Sequence, residues 1–174
     1  MDKEKFLEIS PIDPTRQDKR FAIEEFIEKA RPFLPHFPDD VLEQWVYENF
    51  SIFSSEDRWE IGYDRLRFSE VMITSEMVWD IYDLPNYYDA GIGYAEICEK
   101  TLVTMLSDYM LANGTWPRPI IVLDTENSNA DGEYEYLRPY HLLEGHRRLV
   151  YLKRMLDSGL AVQEHHTIWK VIRV

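Results

Sequence analysis

The stretch that most constrains the fold of this chain is residues 140–152. It joins a short apolar run to Gly145 and then to a segment with apolar residues three or four positions apart. Such a run is typical of a strand, the spacing is typical of a helix, and glycine accepts a sharp turn between them. We therefore predict a strand over residues 140–143, a turn at Gly145 and a helix that begins near His146. The apolar face of this helix comprises Leu149, Leu152, Met155 and Leu156.

Two arginines, Arg147 and Arg148, fall in the first turn of that predicted helix. A helix N-terminus carries partial positive charge, so it disfavours each cation by about 0.3–1 kcal/mol. The same free backbone N–H groups attract anions. One interpretation is that both arginines face a bound anion, such as a phosphate. The alternative is that they point to solvent or pair with nearby acidic side chains.

Apolar periodicity predicts helices elsewhere in the chain. They span residues 19–31, a segment starting at Asp39 or Asp40, residues 75–82, and residues 94–113. Asp39 or Asp40 is expected to cap its helix, with Glu43 completing a capping box. The helix over 94–113 is expected to end at Gly114 and to bury Cys98, Met105 and Tyr109 among other apolar residues.

Short apolar or alternating runs predict strands over residues 65–73, 120–123 and 167–174. Residues 84–93 read as a loop that contains Tyr87 and Tyr88. The whole pattern predicts an α+β fold. It has an N-terminal helical segment over residues 1–64 and a second domain over residues 65–174.

Charge is unevenly distributed along the chain. The formal net charge is −13, yet residues 138–174 contain seven Lys and Arg against three acids, a balance of +4. Residues 1–137 therefore carry −17. A general attraction to nucleic acids or anionic membranes is not expected from this balance, although the positive C-terminal segment contains the two arginines. The acidic part suits a basic protein partner, or it keeps the protein in solution.

Cysteine and apolar content indicate the compartment. The single cysteine cannot form an internal disulfide, and no apolar run approaches the roughly 20 residues that span a bilayer. We therefore expect a cytoplasmic protein without a membrane partner.

The last third of the chain resembles the ParB/sulfiredoxin-like superfamily. The resemblance is carried by a helix ending at Gly114, the run Pro119-Ile120-Ile121-Val122, and the segment 140–149, which reads Tyr-His-Leu-Leu-Glu-Gly-His-Arg-Arg-Leu. The family pattern has a P-I-I-V strand, then a Y-x-L-I-x-G strand whose glycine opens a G-[charged]-R-R or G-H-H-R turn. The resemblance implies a small mixed sheet with packed helices, over residues 66–174 at most.

The resemblance also implies a ligand. Family members bind a nucleotide or nucleic-acid phosphate at this turn, and they include ATP-using sulfinic-acid reductases, CTPases and nuclease-like proteins. This chain has His146 where the reductases have cysteine, and Val150 where the CTPases have a further arginine. The stand-alone ParB-like nuclease or NTPase type is the nearest analogy. Its implied cofactor is Mg²⁺ with ATP or CTP.

Each residue of the turn has an expected role. The phosphate is expected to bind at the turn formed by Gly145. Arg147 and Arg148 are expected to contact it, because guanidinium groups make bidentate contacts with phosphate oxygens. Arg138 is expected to join them.

His146 is the candidate general acid or base, because histidine titrates near neutral pH. Glu144 is expected to orient His146 or a water molecule, or to bind Mg²⁺.

Several other polar residues are assigned structural roles. His141 shares a strand face with Leu143 and is expected to be buried and hydrogen-bonded. Four acidic residues are expected at a solvated hairpin tip and not in a metal site. They are Asp124, Glu126, Asp131 and Glu133. His165 and His166 are expected in a surface loop before the last strand.

Overall fold

A computed structural model of the chain describes residues 3–11, 19–54, 62–82, 101–128 and 138–174. The described α-helices are α1 (Lys3–Leu7), α2 (Lys19–Ala30), α3 (Asp39–Val41), α4 (Phe50–Phe53), α5 (Thr101–Asn113) and α6 (His146–Asp157). A π-helix (Leu42–Tyr47) continues α3, and two 3-10 helices cover Tyr63–Arg65 and Met77–Asp80. The strands are β1 (Leu66–Thr74), β2 (Ile81–Tyr82), β3 (Ile120–Asp124), β4 (Tyr140–Glu144) and β5 (His165–Arg173).

The strands form a five-stranded mixed sheet in the order β1-β5-β3-β4-β2. Strand β3 is parallel to β5, with Ile120 opposite Ile168, and antiparallel to β4, with Leu123 opposite His141. Strand β2 is parallel to β4. Helices combined with a mixed sheet confirm the predicted α+β class. The apolar run predicted as a buried strand is β3, in which all five residues are buried.

Backbone hydrogen bonds at both ends show that β1 and β5 are antiparallel. The N–H of Ser75 donates to the carbonyl of Glu164 over 3.0 Å, and the N–H of Val174 donates to the carbonyl of Arg65 over 2.9 Å. Residue numbers therefore rise along one strand as they fall along the other, which is the antiparallel pattern.

The described residues divide into two compact units, and the division falls within β1. The first unit contains the described residues up to Phe68, together with Arg173 and Val174. The second contains the described residues from Ser69 to Ile172. The domains expected from sequence, residues 1–64 and 65–174, stay a prediction.

Aromatic side chains form the core of the first unit. The rings of Phe53 and Tyr63 stack with centroids 3.9 Å apart, and Trp45 meets Phe53 edge-on at 5.4 Å. The hydroxyl of buried Tyr63 donates to the carbonyl of Phe53 over 2.8 Å, which satisfies its polar end. Phe6 and Phe37 are fully buried in the same unit.

The start of α3 corrects the predicted helix cap. Pro38 occupies the N-cap position, and no side chain caps the helix. Asp39 instead pairs with Arg31, and the Asp40 carboxylate accepts a hydrogen bond from Gln44 over 3.0 Å. The predicted capping box was wrong because both carboxylates have side-chain donors as partners, which compete with the backbone N–H groups.

Helix α6 supplies much of the core of the second unit. Leu149, Leu152 and Met155 are buried, as predicted, and Leu156 is half-buried. They belong to one cluster with residues of β3, β4 and β5, namely Ile120, Val122, Leu142 and Ile168. The predicted strand, glycine turn and helix over residues 140–157 are therefore confirmed, with the helix ending at Asp157.

Helix α5 presents a different face to the core than its sequence predicts. Met105 is 69% exposed and Tyr109 is 41% exposed, whereas Ser107 and Met110 are buried. The prediction was wrong for Met105 and Tyr109, whereas Leu106 on the same predicted face packs against the core. Apolar residues occur on more than one side of this helix, so periodicity does not fix its rotation. The helix ends at Asn113 before Gly114, which has a φ of 67°, as predicted.

The predicted helix over residues 75–82 was also wrong. A 3-10 helix occupies only Met77–Asp80, and Ile81 and Tyr82 form β2. Ile81 is drawn into the sheet opposite Tyr140, and its carbonyl accepts a hydrogen bond from Lys153 over 2.7 Å. These partners lie 59 and 72 positions away in the chain, so the local sequence carries no sign of them.

Some predictions fall outside the described residues. They are the loop over 84–93 with Tyr87 and Tyr88, the first seven residues of the helix expected over 94–113, including Cys98, and the acids Asp131 and Glu133. Within the described ranges, no helix combines the length and the apolar character needed to cross a bilayer.

His166 corrects a further prediction. It lies in β5 rather than in a surface loop and is only 1% exposed, although its neighbour His165 is exposed. The Ser75 hydroxyl lies 3.0 Å from its Nε2, and the Thr115 hydroxyl lies 2.9 Å from its Nδ1. Burial, followed by the charge of His165, lowers the pKa of His166 from 6.5 to about 4. The neutral imidazole therefore links three segments of the second unit.

The lowered pKa of His166 predicts a pH-dependent stability. Between pH 6.5 and 4 the unfolded chain takes up this proton before the folded protein does, so the free energy of unfolding falls with pH. The loss approaches about 3 kcal/mol at pH 4. Urea unfolding at pH 7, 5.5 and 4 measures it. The variant His166→Asn should be less stable at pH 7 but should change less over this range. Equal pH dependence of both proteins would contradict the prediction.

Candidate functional site

The candidate site lies where β4 turns into α6. Gly145 has a φ of 103°, a conformation that L side chains rarely adopt. A Cβ placed on Gly145 would lie 2.5 Å from Cγ2 of Ile120 and 2.9 Å from its Cβ. Gly145 is therefore required both by its backbone conformation and by its contact with the start of β3.

Arg148 is directed at acceptors of the protein itself. Its Nη1 donates to the carbonyls of Arg118 over 3.1 Å and Pro119 over 3.2 Å. Its Nη2 lies 3.6 Å from the Glu144 carboxylate, and its side chain is 11% exposed. Of the interpretations left open by the sequence, pairing with a nearby acid describes Arg148 in this structure. Its assignment as a phosphate ligand stays a prediction.

Arg147 and His146 lie in a different environment from Arg148. Arg147 is exposed, and His146 is half-buried. Gly145 is the N-cap of α6 and offers no side-chain cap, and the first turn of the helix contains no acidic residue. Backbone N–H groups at a helix start have no partners within the helix and attract negative charge. Gly145, His146 and Arg147 thus combine backbone donors with an exposed cation.

Glu144 is half-buried at the end of β4, and its described ion pair is with Arg148. Its predicted roles toward His146, a water molecule or Mg²⁺ stay predictions. In the part of the chain that the structure describes, no three His, Cys, Asp or Glu side chains are grouped so as to hold a metal ion.

Arg138 is not brought to the turn. It is exposed and lies before β4, whereas Gly145 follows the strand at its other end. The five residues of β4, at about 3.3 Å each, lie between the two and separate them by roughly 15 Å. His141, on the intervening strand, is 4% exposed, which agrees with its predicted burial.

The sequence did not predict the polar contacts at the end of β3 that lies away from Gly145. Asp124 is 2% exposed, and its carboxylate accepts hydrogen bonds from both the backbone and the side-chain amide of Asn127. Lys170 lies 3.6 Å from the same carboxylate. The expectation of a solvated tip is therefore wrong for Asp124, although Glu126 is exposed. The sequence contains one signal for this ion pair, because Lys170 stands between apolar residues of the last predicted strand.

Tyr140 belongs to this opposite end of the sheet. It lies across from Asp124 in β4. Burial raises the pKa of the Tyr140 phenol, and the charges of Asp124, Glu126 and Asp80 add to this effect. The phenol therefore stays protonated at neutral pH, and it lies at the end of the sheet away from Gly145.

Comparisons with known proteins gave no match, whether with protein-family models, curated proteins or solved structures.

Replacing Gly145 tests whether the turn needs glycine. Gly145→Ala should lower the free energy of unfolding by about 2–4 kcal/mol, because it adds backbone strain and an overlap with Ile120. Gly159→Ala is the matched control, because Gly159 has a φ of 65° but an added Cβ would meet no atom within 4 Å. This control should cost only about 1 kcal/mol. Equal costs in urea unfolding would contradict the steric argument.

Proposed function

We propose that the turn formed by Gly145, His146 and Arg147 binds a phosphate group of a nucleotide or nucleic acid. The observation that carries this proposal is the start of α6. It has no side-chain cap and no acid in its first turn, yet it carries an exposed arginine. A phosphate at this point would accept from backbone N–H groups and pair with the guanidinium.

The order of elements supports a ParB/sulfiredoxin-like assignment for the same region. Helix α5 ends at Asn113, just before Gly114, and β3, β4, the glycine turn, α6 and β5 follow it, as the family pattern expects. We propose this assignment as the framework for the site. The protein is further proposed to be cytoplasmic, since a chain with one cysteine forms no internal disulfide.

Hydrolysis of the bound phosphate ester is part of the proposal. His146 adjoins the proposed phosphate position and is the candidate for proton transfer, since histidine exchanges protons near neutral pH. Mg²⁺ would arrive with the phosphates of ATP or CTP, whose oxygens supply ligands that this cation prefers. Glu144, next to the turn, is the candidate for orienting the attacking water molecule.

The second candidate function is binding of a basic protein by an acidic one, as an immunity or regulatory protein does. The observation that favours it is the charge distribution. Residues 1–137 carry a net charge of −17, and residues 138–174, at +4, bring the total to −13. Complementary charge accelerates association and makes it sensitive to salt. Salt-dependent binding of a basic protein, with no response to nucleotides or oligonucleotides, would favour this second function.

A thermal-shift screen tests phosphate binding. ATP, CTP and GTP with Mg²⁺, and short RNA and DNA oligonucleotides, are added to the full chain. A ligand at about 100 times its dissociation constant should add about 2.7 kcal/mol of stability. Arg147→Ala should abolish the shift, whereas Arg154→Ala, which removes an exposed arginine from the last turn of the same helix, should retain it. The absence of a shift with every ligand would overturn the proposal.

A further inference from the structure

The adjacent arginines at the start of α6 differ in what surrounds them. The Arg148 side chain is 11% exposed, whereas Arg147 is exposed. The acceptors of Arg148 come from two parts of the second unit. The Arg118 and Pro119 carbonyls lie just before β3, and the Glu144 carboxylate lies at the end of β4. One guanidinium thus connects the segment that enters β3 with the strand that leads into the turn.

We infer that Arg148 is a positioning residue that fixes the conformation of the Gly145 turn, whereas Arg147 is the arginine that contacts the anion. The part concerning Arg147 rests on the proposed function, and the part concerning Arg148 does not. Arg148 acts on the ligand only through the backbone that it holds. The two arginines, which the sequence presents as equivalent, therefore have separate roles.

The geometry of guanidinium suits this positioning role. Arg148 presents several N–H donors in one plane, so that a single side chain meets two carbonyls and a carboxylate at once. Its Nε also lies 3.2 Å from the position of a Cβ on Gly145, so the side chain covers the turn directly. A lysine has a compact ammonium on a flexible stem and cannot reproduce this planar arrangement.

The first backbone hydrogen bond of α6 reports on the turn. The N–H of Leu149 donates to the Gly145 carbonyl over 2.9 Å, so its protection from hydrogen exchange depends on the position of Gly145. At the other end of the helix, the N–H of Ser158 donates to the Arg154 carbonyl over 3.0 Å. Comparing these two amides separates a local opening of the turn from a general loss of stability, which would affect both.

Amide hydrogen exchange in the ligand-free full chain, followed by NMR, tests the role of Arg148. Arg148→Ala should speed exchange at Leu149 about tenfold or more relative to Ser158, because hydrogen bonds to a charged group are lost. Arg147→Ala should leave the ratio of the two rates unchanged. Arg148→Lys, which retains the charge, should give a smaller selective increase and serves if Arg148→Ala does not fold. An unchanged ratio in both Arg148 variants would overturn the positioning role.

Titration with inorganic phosphate, against chloride at equal ionic strength, tests the division between the arginines. Arg147→Ala should abolish the chemical-shift changes at the Gly145 and His146 amides. Arg148→Lys should weaken binding while leaving it saturable. Retention of parental affinity by Arg147→Ala would overturn the role of Arg147. If the parent shows no response to phosphate, nucleotides or oligonucleotides, the proposed function fails, whereas the exchange ratio still decides the role of Arg148.

Discussion

The close approach of Gly145 to Ile120 constrains how β3, β4 and α6 pack together in the second unit. The turn passes so near the start of β3 that a Cβ would lie 2.5 Å from the Ile120 side chain. Strand β4 can therefore end and α6 can begin directly beside the central strand of the sheet. From this starting point α6 places Leu149, Leu152 and Met155 in the same buried cluster as Ile120. Ile120 thus contacts the turn and also belongs to the core against which α6 packs.

Arg148 adds a polar contact to this apolar one. It joins the turn to the backbone at residues 118 and 119, just before Ile120. Carbonyls before a strand need hydrogen-bond partners, and the guanidinium supplies them. Apolar contact through Ile120 and hydrogen bonding through Arg148 therefore hold the same two segments together. The glycine that this close approach requires is also the N-cap of α6, and it offers the helix no side-chain cap.

The sequence predicted the elements whose signals are local. Strands β3 and β4, the Gly145 turn and helix α6 each have a distinctive pattern within a few residues, and all were found where expected. The failures share a non-local cause. Strand β2 exists because Ile81 meets Tyr140, and the burial of His166 depends on Ser75 and Thr115. The rotation of α5 likewise depends on packing that its own sequence leaves undetermined.

The same distinction applies to the candidate site. The motif that opens α6 is visible in sequence, but the two carbonyls that accept hydrogen bonds from Arg148 lie 29 and 30 positions earlier. The sequence therefore identifies the turn without separating the two arginines that it contains. Arg138 is close to the turn in sequence, and a shared site was therefore expected. Strand β4 lies between them and places Arg138 at its far end.

The two arginines differ in how their unfavourable position at the helix N-terminus is offset. A cation at a helix N-terminus costs about 0.3–1 kcal/mol, whereas a hydrogen bond that involves a charged group contributes about 1.5–3 kcal/mol. The bonds of Arg148 to two carbonyls are therefore sufficient to offset its unfavourable position without any anion. Arg147 is exposed, where solvent screens the helix dipole. A phosphate at this turn would therefore be held by the positive end of α6 together with exposed Arg147, and Arg148 does not need it.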